Sequence, residues 1–189
     1  MSRRMRIAAG AGVTLAVAGL LTLGGALGAQ GDDPAPLRDT LGVLAQAQVA
    51  GDRLPAAVPL ALHGQGGLVA ATARSVGSAD GIRYWTALDL RGQVCVVAVS
   101  AGGGYTASSC VPATVFAAGG VALRVDDAVH GTGWQAVLVP DGSLPASTKL
   151  GGWRSASANL VVAGPDVVAP LTLTVPGSGT VELTAIPAG

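Results

Sequence analysis

The strongest pattern in the chain is an uninterrupted apolar run near its start. Residues Ile7 to Ala29 contain no charged side chain; Arg3, Arg4 and Arg6 precede them and Asp32 and Asp33 follow. These 23 residues suffice for a membrane-crossing helix, which needs about 20. By the positive-inside rule the N-terminus stays in the cytoplasm and the rest is exported. The same stretch also reads as a signal peptide, with a basic start, an apolar middle and small residues at the end. Ala26 and Gly28, or Gly24 and Ala26, supply the small positions of a cleavage site. Ser2-Arg3-Arg4 matches a twin-arginine signal only in part, because Arg6 stands where that signal has a large apolar residue. No Cys lies at the end of the run or directly after it, which excludes a lipoprotein anchor. If the segment is retained, only Met1 to Arg6 face the cytoplasm, too few for a signalling domain.

After Ala29 the pattern changes twice. Residues 30–36 form a polar linker containing proline. Leu37, Leu41 and Leu44 then recur at i, i+4 and i+7, which is one face of a helix. Asp33 as N-cap and Pro34 at the first helical position start it. The spacing predicts a helix from Pro34 to Val49, stopping near Gly51, with Asp52-Arg53-Leu54-Pro55 leading out. Leu60 to Leu62 suggests a second short apolar turn, ended by Gly64, Gly66 and Gly67.

From Leu68 onward the apolar residues come in short runs. Leu68 to Val76 is a candidate strand with Thr72 and Arg74 on one face, followed by Ile82 to Leu90 and a turn at Arg91-Gly92. Val94 to Val99 is continuously apolar, as expected of a strand buried on both faces. A Gly-rich turn at Ala101 to Gly104 leads to the returning strand Tyr105 to Cys110. Pro112 to Ala118 reads as a short helix ended by Gly119-Gly120. Further strands are expected at Val121 to Val125, Trp134 to Val139, Asn159 to Val162, Leu171 to Val175 and Val181 to Ile186. Pro140-Asp141-Gly142 and Pro176-Gly177-Ser178-Gly179 carry turn chemistry. No internal repeat is visible. The predicted fold is mainly β, a small antiparallel sheet or sandwich with one or two short helices. A transmembrane or signal helix precedes it. The domain organisation is therefore 1–29 signal peptide or membrane anchor, 30–36 linker, and 37–189 an extracytoplasmic β-rich domain with a short N-terminal helix.

The two cysteines fix a register. In an exported chain such a pair suggests a disulfide. With the turn centred on Gly102-Gly103, Ser100 faces Tyr105 and Cys95 faces Cys110. Directly opposed Cβ atoms lie roughly 4.5–5.5 Å apart, near disulfide reach. A slip of one residue would send the two side chains to opposite faces. Closing a loop of about 15 residues is worth roughly 3 kcal/mol in the loop-entropy picture. A redox-active pair wants a C-x-x-C spacing or an activated thiol, and neither is visible.

Composition and charge narrow the function classes. Half of the 189 residues are hydrophobic and 12% are charged, so a long disordered chain is excluded. Lys149 is the only lysine; with so much Ala, Gly, Val and Arg the chain looks encoded by a GC-rich genome. Three of the eleven basic residues lie before the apolar run, which leaves eight against eleven acidic ones and a net charge of −3 for the remainder. Nucleic-acid binding, which wants a basic patch, is not expected. Any contact with the membrane runs through the N-terminal segment if it is uncleaved.

Several stretches invite a chemical reading. His63-Gly64-Gln65-Gly66-Gly67 is similar to the glycine loop of an esterase oxyanion hole, but the G-x-S-x-G nucleophile elbow is missing. Gly77-Ser78-Ala79-Asp80-Gly81 misplaces its serine. His130 follows Asp126-Asp127, yet the spacing fits no ligand set and a turn at Gly131 and Gly133 explains it. Asp126-Asp127 alone lacks the ligand spacing of a calcium loop. Two Cys and two His without ligand spacing make no zinc set. Trp85, Trp134 and Trp153, with Tyr84 and Tyr105, would suit a glycan-stacking platform, although core packing is the more ordinary use of Trp. Leu144-Pro145-Ala146-Ser147-Thr148 departs from a sortase signal at Ser147. No catalytic, cofactor-binding or metal-ligating residue and no cofactor is assigned, and no partner is named.

One resemblance covers Leu41 to Val125. Asp52-Arg53-Leu54-Pro55, Arg83-Tyr84-Trp85, Gly92-Gln93-Val94-Cys95-Val96-Val97, Ser109-Cys110-Val111-Pro112, Phe116 and Gly119-Gly120-Val121 succeed one another in this order. The chain resembles uncharacterised exported or single-pass envelope proteins of high-GC Gram-positive bacteria. The resemblance implies a location and carries no activity. The expected role is that of a non-catalytic envelope protein for binding or structure. The alternatives are a cell-wall glycan-binding module or a hydrolase using His63 or His130.

Overall fold

Alternating burial along the strands dictates a layered body. The structure, a computed structural model, describes residues 35–56, 58, 67–102, 105–127, 132–145 and 151–183. The apolar run at 7–29, the linker start and both histidines lie outside the described residues. Among the described residues no helix is long and apolar enough to cross a membrane.

Among the described residues, three antiparallel sheets form the body. The first is a meander of β1 (Leu68–Ala79), β2 (Ile82–Asp89), β3 (Val94–Ser100) and β4 (Thr106–Val111), in that order. A short helix α2 (Ala113–Gly119) leads from it to β5 (Val121–Asp127). The second sheet has the order β5-β6-β9-β8, with β6 at Thr132–Leu138, β8 at Arg154–Ser157 and β9 at Leu160–Ala163. The third joins β7 (Leu144–Pro145), β10 (Leu171–Val175) and β11 (Gly179–Leu183) in the order β11-β10-β7.

The second sheet is the middle layer. Ala136, Leu138, Leu160 and Val162 point to one core, where they meet Tyr84, Val94, Val96 and Ala98 of the first sheet. Their neighbours Val137, Val161 and Ala163 point the other way, onto Leu171, Leu173 and Val175 of the third. The two-residue period of a strand thus feeds two cores from one sheet. The continuous run Val94 to Val99 is likewise buried on both faces, as its composition predicts. Its other face packs Val97 and Val99 with Trp85 and Val58. The edges of the two four-stranded sheets abut, β1 beside β8 and β4 beside β5. Between β1 and β8, Asp80 and Arg154 form an ion pair.

Two sequence expectations need correction. The helix predicted from Pro34 to Val49 is one short helix, α1 (Ala35–Thr40), followed by 3-10 turns at Gly42–Ala45 and Ala50–Asp52. Tertiary hydrogen bonds end α1. The Asp141 N–H donates to Thr40 O at 2.9 Å, and the Gly42 N–H donates to Asp141 Oδ2 at 2.7 Å. Leu37 and Leu41 are nevertheless buried and Leu44 packs beside them, so the spacing reported the packing rather than a continuous helix. Second, β1 is no plain strand. Its pairing with β2 jumps from Val69↔Leu88 to Arg74↔Thr86, a wide bulge. The sequence also misses β7 and β8, and 143–183 is divided between the middle and third sheets.

Candidate functional site

The disulfide is where the register argument predicts it. Cys95 and Cys110 pair directly across β3 and β4 and are bonded, with Cα atoms 4.0 Å apart. The Ser100 N–H donates to Tyr105 O at 3.1 Å, which makes that pair hydrogen-bonded. Alternation along an antiparallel ladder then makes 95↔110 a non-hydrogen-bonded pair, the kind whose Cα atoms approach most closely. Cys95 is fully buried, and Cys110 on the edge strand is half-buried.

The aromatic residues do not form a platform. Trp85 is completely buried and Trp153 is nearly so, and they belong to different cores. Trp153 donates its indole N–H to Ala169 O at 2.9 Å, and Arg83 lies over the Trp85 ring at 4.6 Å. Only Trp134 and Tyr105 meet among the described rings. Both are half-buried, and they cross edge-on at 73° with centroids 6.3 Å apart. A sugar face needs flat, parallel ring surface, which this pair does not offer.

A shallow cleft of about 200 Å³ lies between α1 and the β1 bulge, lined by Leu37, Arg38, Leu44, Thr72, Arg74 and Leu88, among others. Thr72 and Arg74, expected on one face, do meet here. Their polar atoms are committed to the bulge. Thr72 Oγ1 donates to Val69 O and accepts the Leu88 N–H. Gln48 Nε2 donates to Ala70 O and Ala73 O. The buried Arg74 guanidinium donates to the carbonyls of Gln46, Ala71 and Ala73. Carbonyls that the bulge withdraws from the ladder are thereby satisfied. Arg74 is a structural tie, and no sequence signal marked it as one.

The stretch 77–81 is a hairpin, not an elbow. Ala79 pairs with Ile82 across the two-residue turn Asp80-Gly81, and both turn residues have positive φ, 51° and 75°. Asp-Gly suits this turn because both positions favour residues tolerant of left-handed backbone. Below it, burial pushes the Tyr84 hydroxyl well above the usual phenol range, and the nearby Asp80 charge adds to the effect while Arg154 opposes it. Asp52 has the opposite balance. Burial alone would raise its carboxyl, but the N–H groups of Val49 and Ser75 and the Arg74 charge outweigh burial and hold it below the ordinary carboxylate range.

No three potential metal ligands come together among the described residues. His63 and His130 lie outside them. Asp126 and Asp127 sit on β5 opposite Gly133 and Thr132. Compared with protein-family models, with curated proteins and with solved structures, the chain matches none of them.

Proposed function

We propose that this chain is an extracytoplasmic envelope protein, held at the outer membrane–water boundary by its first 29 residues or released by cleavage there. Its body serves as a non-catalytic binding or structural module. The observation that carries the reading is the Cys95–Cys110 disulfide. A bond of this kind is stable in an oxidising compartment and is rarely a permanent feature of cytosolic proteins. It supports export independently of the apolar N-terminal pattern. The resemblance of Leu41 to Val125 to exported proteins of high-GC Gram-positive bacteria points the same way. The chemistry of the body also favours a scaffold. Arg74 and Gln135 spend their side-chain donors on backbone carbonyls, and Asp89 accepts backbone N–H groups.

The test is the intact mass of the protein from its native host, taken before and after reduction and thiol alkylation. Export with cleavage gives a mass starting near Ala29 outside the cytoplasm. Export with retention gives a full-length mass in the membrane fraction. In both, Cys95 and Cys110 take up alkylating agent only after reduction. A full-length protein in the cytosol with free thiols would overturn the proposal.

A further inference from the structure

One end of the body is marked by register. Leu88 pairs with Val94, and Val94 pairs with Val111. The Leu90–Gly92 turn and the start of α2 therefore lie at the same end. Leu138 pairs with Val121, the first residue after α2, so the 139–143 loop is there too. Through Asp141 that loop binds Thr40 and Gly42, which brings α1 to this end. Exposed apolar side chains project here: Leu90 is 76% exposed and Val115 on α2 is 51% exposed. Arg38 and Asp39 on α1 and Arg91 on the Leu90 turn, at this same end, are exposed. Asp141 is engaged by Gly42 and Asn159.

The Leu90 tip is held firmly. Asp89 Oδ1 accepts the N–H groups of Arg91 and Gln93, each at 2.8 Å. The Leu90 N–H donates to Gly67 O at 3.0 Å. Single exposed apolar residues are ordinary on a protein surface. What distinguishes these is the tether. Only Gln30 to Pro34 separate the apolar run from α1, a span of about 20 Å when fully extended. A compact body of this size is about 40 Å across, and α1 itself covers only about 9 Å. So short a tether cannot bring the opposite end to the bilayer.

We propose that in the anchored form the end carrying α1, α2 and the Leu90-Arg91 tip lies against the lipid surface. Leu90 and Val115 enter the headgroup region, and Arg38 and Arg91 reach lipid phosphates with their stems along the apolar boundary. The Asp80-Gly81 hairpin then points away from the membrane. This rests on the retained-anchor branch of the reading above.

The experiment uses the full chain in vesicles of phosphatidylcholine and phosphatidylglycerol. Leu90→Cys, Val115→Cys and Val168→Cys are each labelled with an environment-sensitive fluorophore, the native pair remaining in its disulfide. Val168 is 74% exposed and lies on the loop leaving the far end of β9, where Ala163 pairs with Gln135. Headgroup-borne nitroxides should quench the label at 90 and at 115 and leave it at 168 unchanged. Equal quenching at all three sites, or quenching at 168 alone, overturns the proposal. So does a full-length membrane protein with no quenching at 90 and 115. A native mass starting near Ala29 overturns it by a different route, removing the tether while leaving the extracytoplasmic reading in place.

Discussion

Gly119 and Gly120 end the same helix, and only one of them is required to be glycine. Gly120 has φ of +85°, and a Cβ placed on it would meet Leu138 O at 2.3 Å. That carbonyl belongs to a central strand of the middle sheet, so it cannot move aside without disturbing the ladder. A non-glycine residue held in such a conformation costs about 1–3 kcal/mol before any clash. Gly119 has no positive φ, and its Cβ would meet Val181 Cγ1 at an ordinary 3.5 Å. Gly120→Ala should therefore destabilise the protein by about 3 kcal/mol or more. Gly119→Ala should change stability by less than about 1 kcal/mol. Urea denaturation of the two variants, with equal m-values, checks the contrast. Equal losses at both sites would mean that the approach of α2 to β6 is looser than described.

At the scale of elements, the disulfide joins an edge strand to a central one. Among the described strands β4 has one ladder partner, β3, while β3 is paired on both sides. Reducing the bond, or replacing both Cys95 and Cys110 by Ala, should cost about 3 kcal/mol for the 15-residue separation. The same variant should raise hydrogen exchange at β4 more than at β2. A loss confined to global stability, with β4 no more labile than β2, would show that the edge is held by β5 and α2 instead. This hairpin was also the most legible part of the fold. Its turn is glycine-rich, its central strand is apolar throughout, and its two cysteines test the register. The β1–β2 hairpin carries an equally good signal in Asp80-Gly81, a dipeptide suited to a two-residue turn between strands. Other features left no readable trace. β7 is two residues long and β8 is Arg-Ser-Ala-Ser, so neither has an apolar period. The β1 bulge depends on Gln46 and Gln48, more than 20 residues away in sequence. The break after α1 depends on Asp141, 99 residues from Gly42. Local patterns report burial well, and they cannot report a hydrogen bond made by a distant loop.

At the scale of the whole molecule, the question is whether three sheets unfold as one. The middle sheet supplies successive residues to opposite cores, Ala136 to one and Val137 to the other. Neither core can lose its wall without exposing the back of the other. Leu173 is fully buried in the second core, and Leu173→Ala should cost about 2–5 kcal/mol. That is a large share of the roughly 5–15 kcal/mol that holds a domain together. If β6 and β9 couple the layers, amides of β3 should lose exchange protection in this variant along with those of β10, although β3 lies two layers away. The denaturation curve followed by Trp153 in the second core should coincide with one followed by near-ultraviolet dichroism of Tyr84 and Trp85. Separate transitions, with β10 and β11 opening while β2 and β3 stay protected, would make the third sheet an independently labile layer. The coupled outcome would make the three sheets one cooperative unit, with the middle sheet as the wall that both cores share.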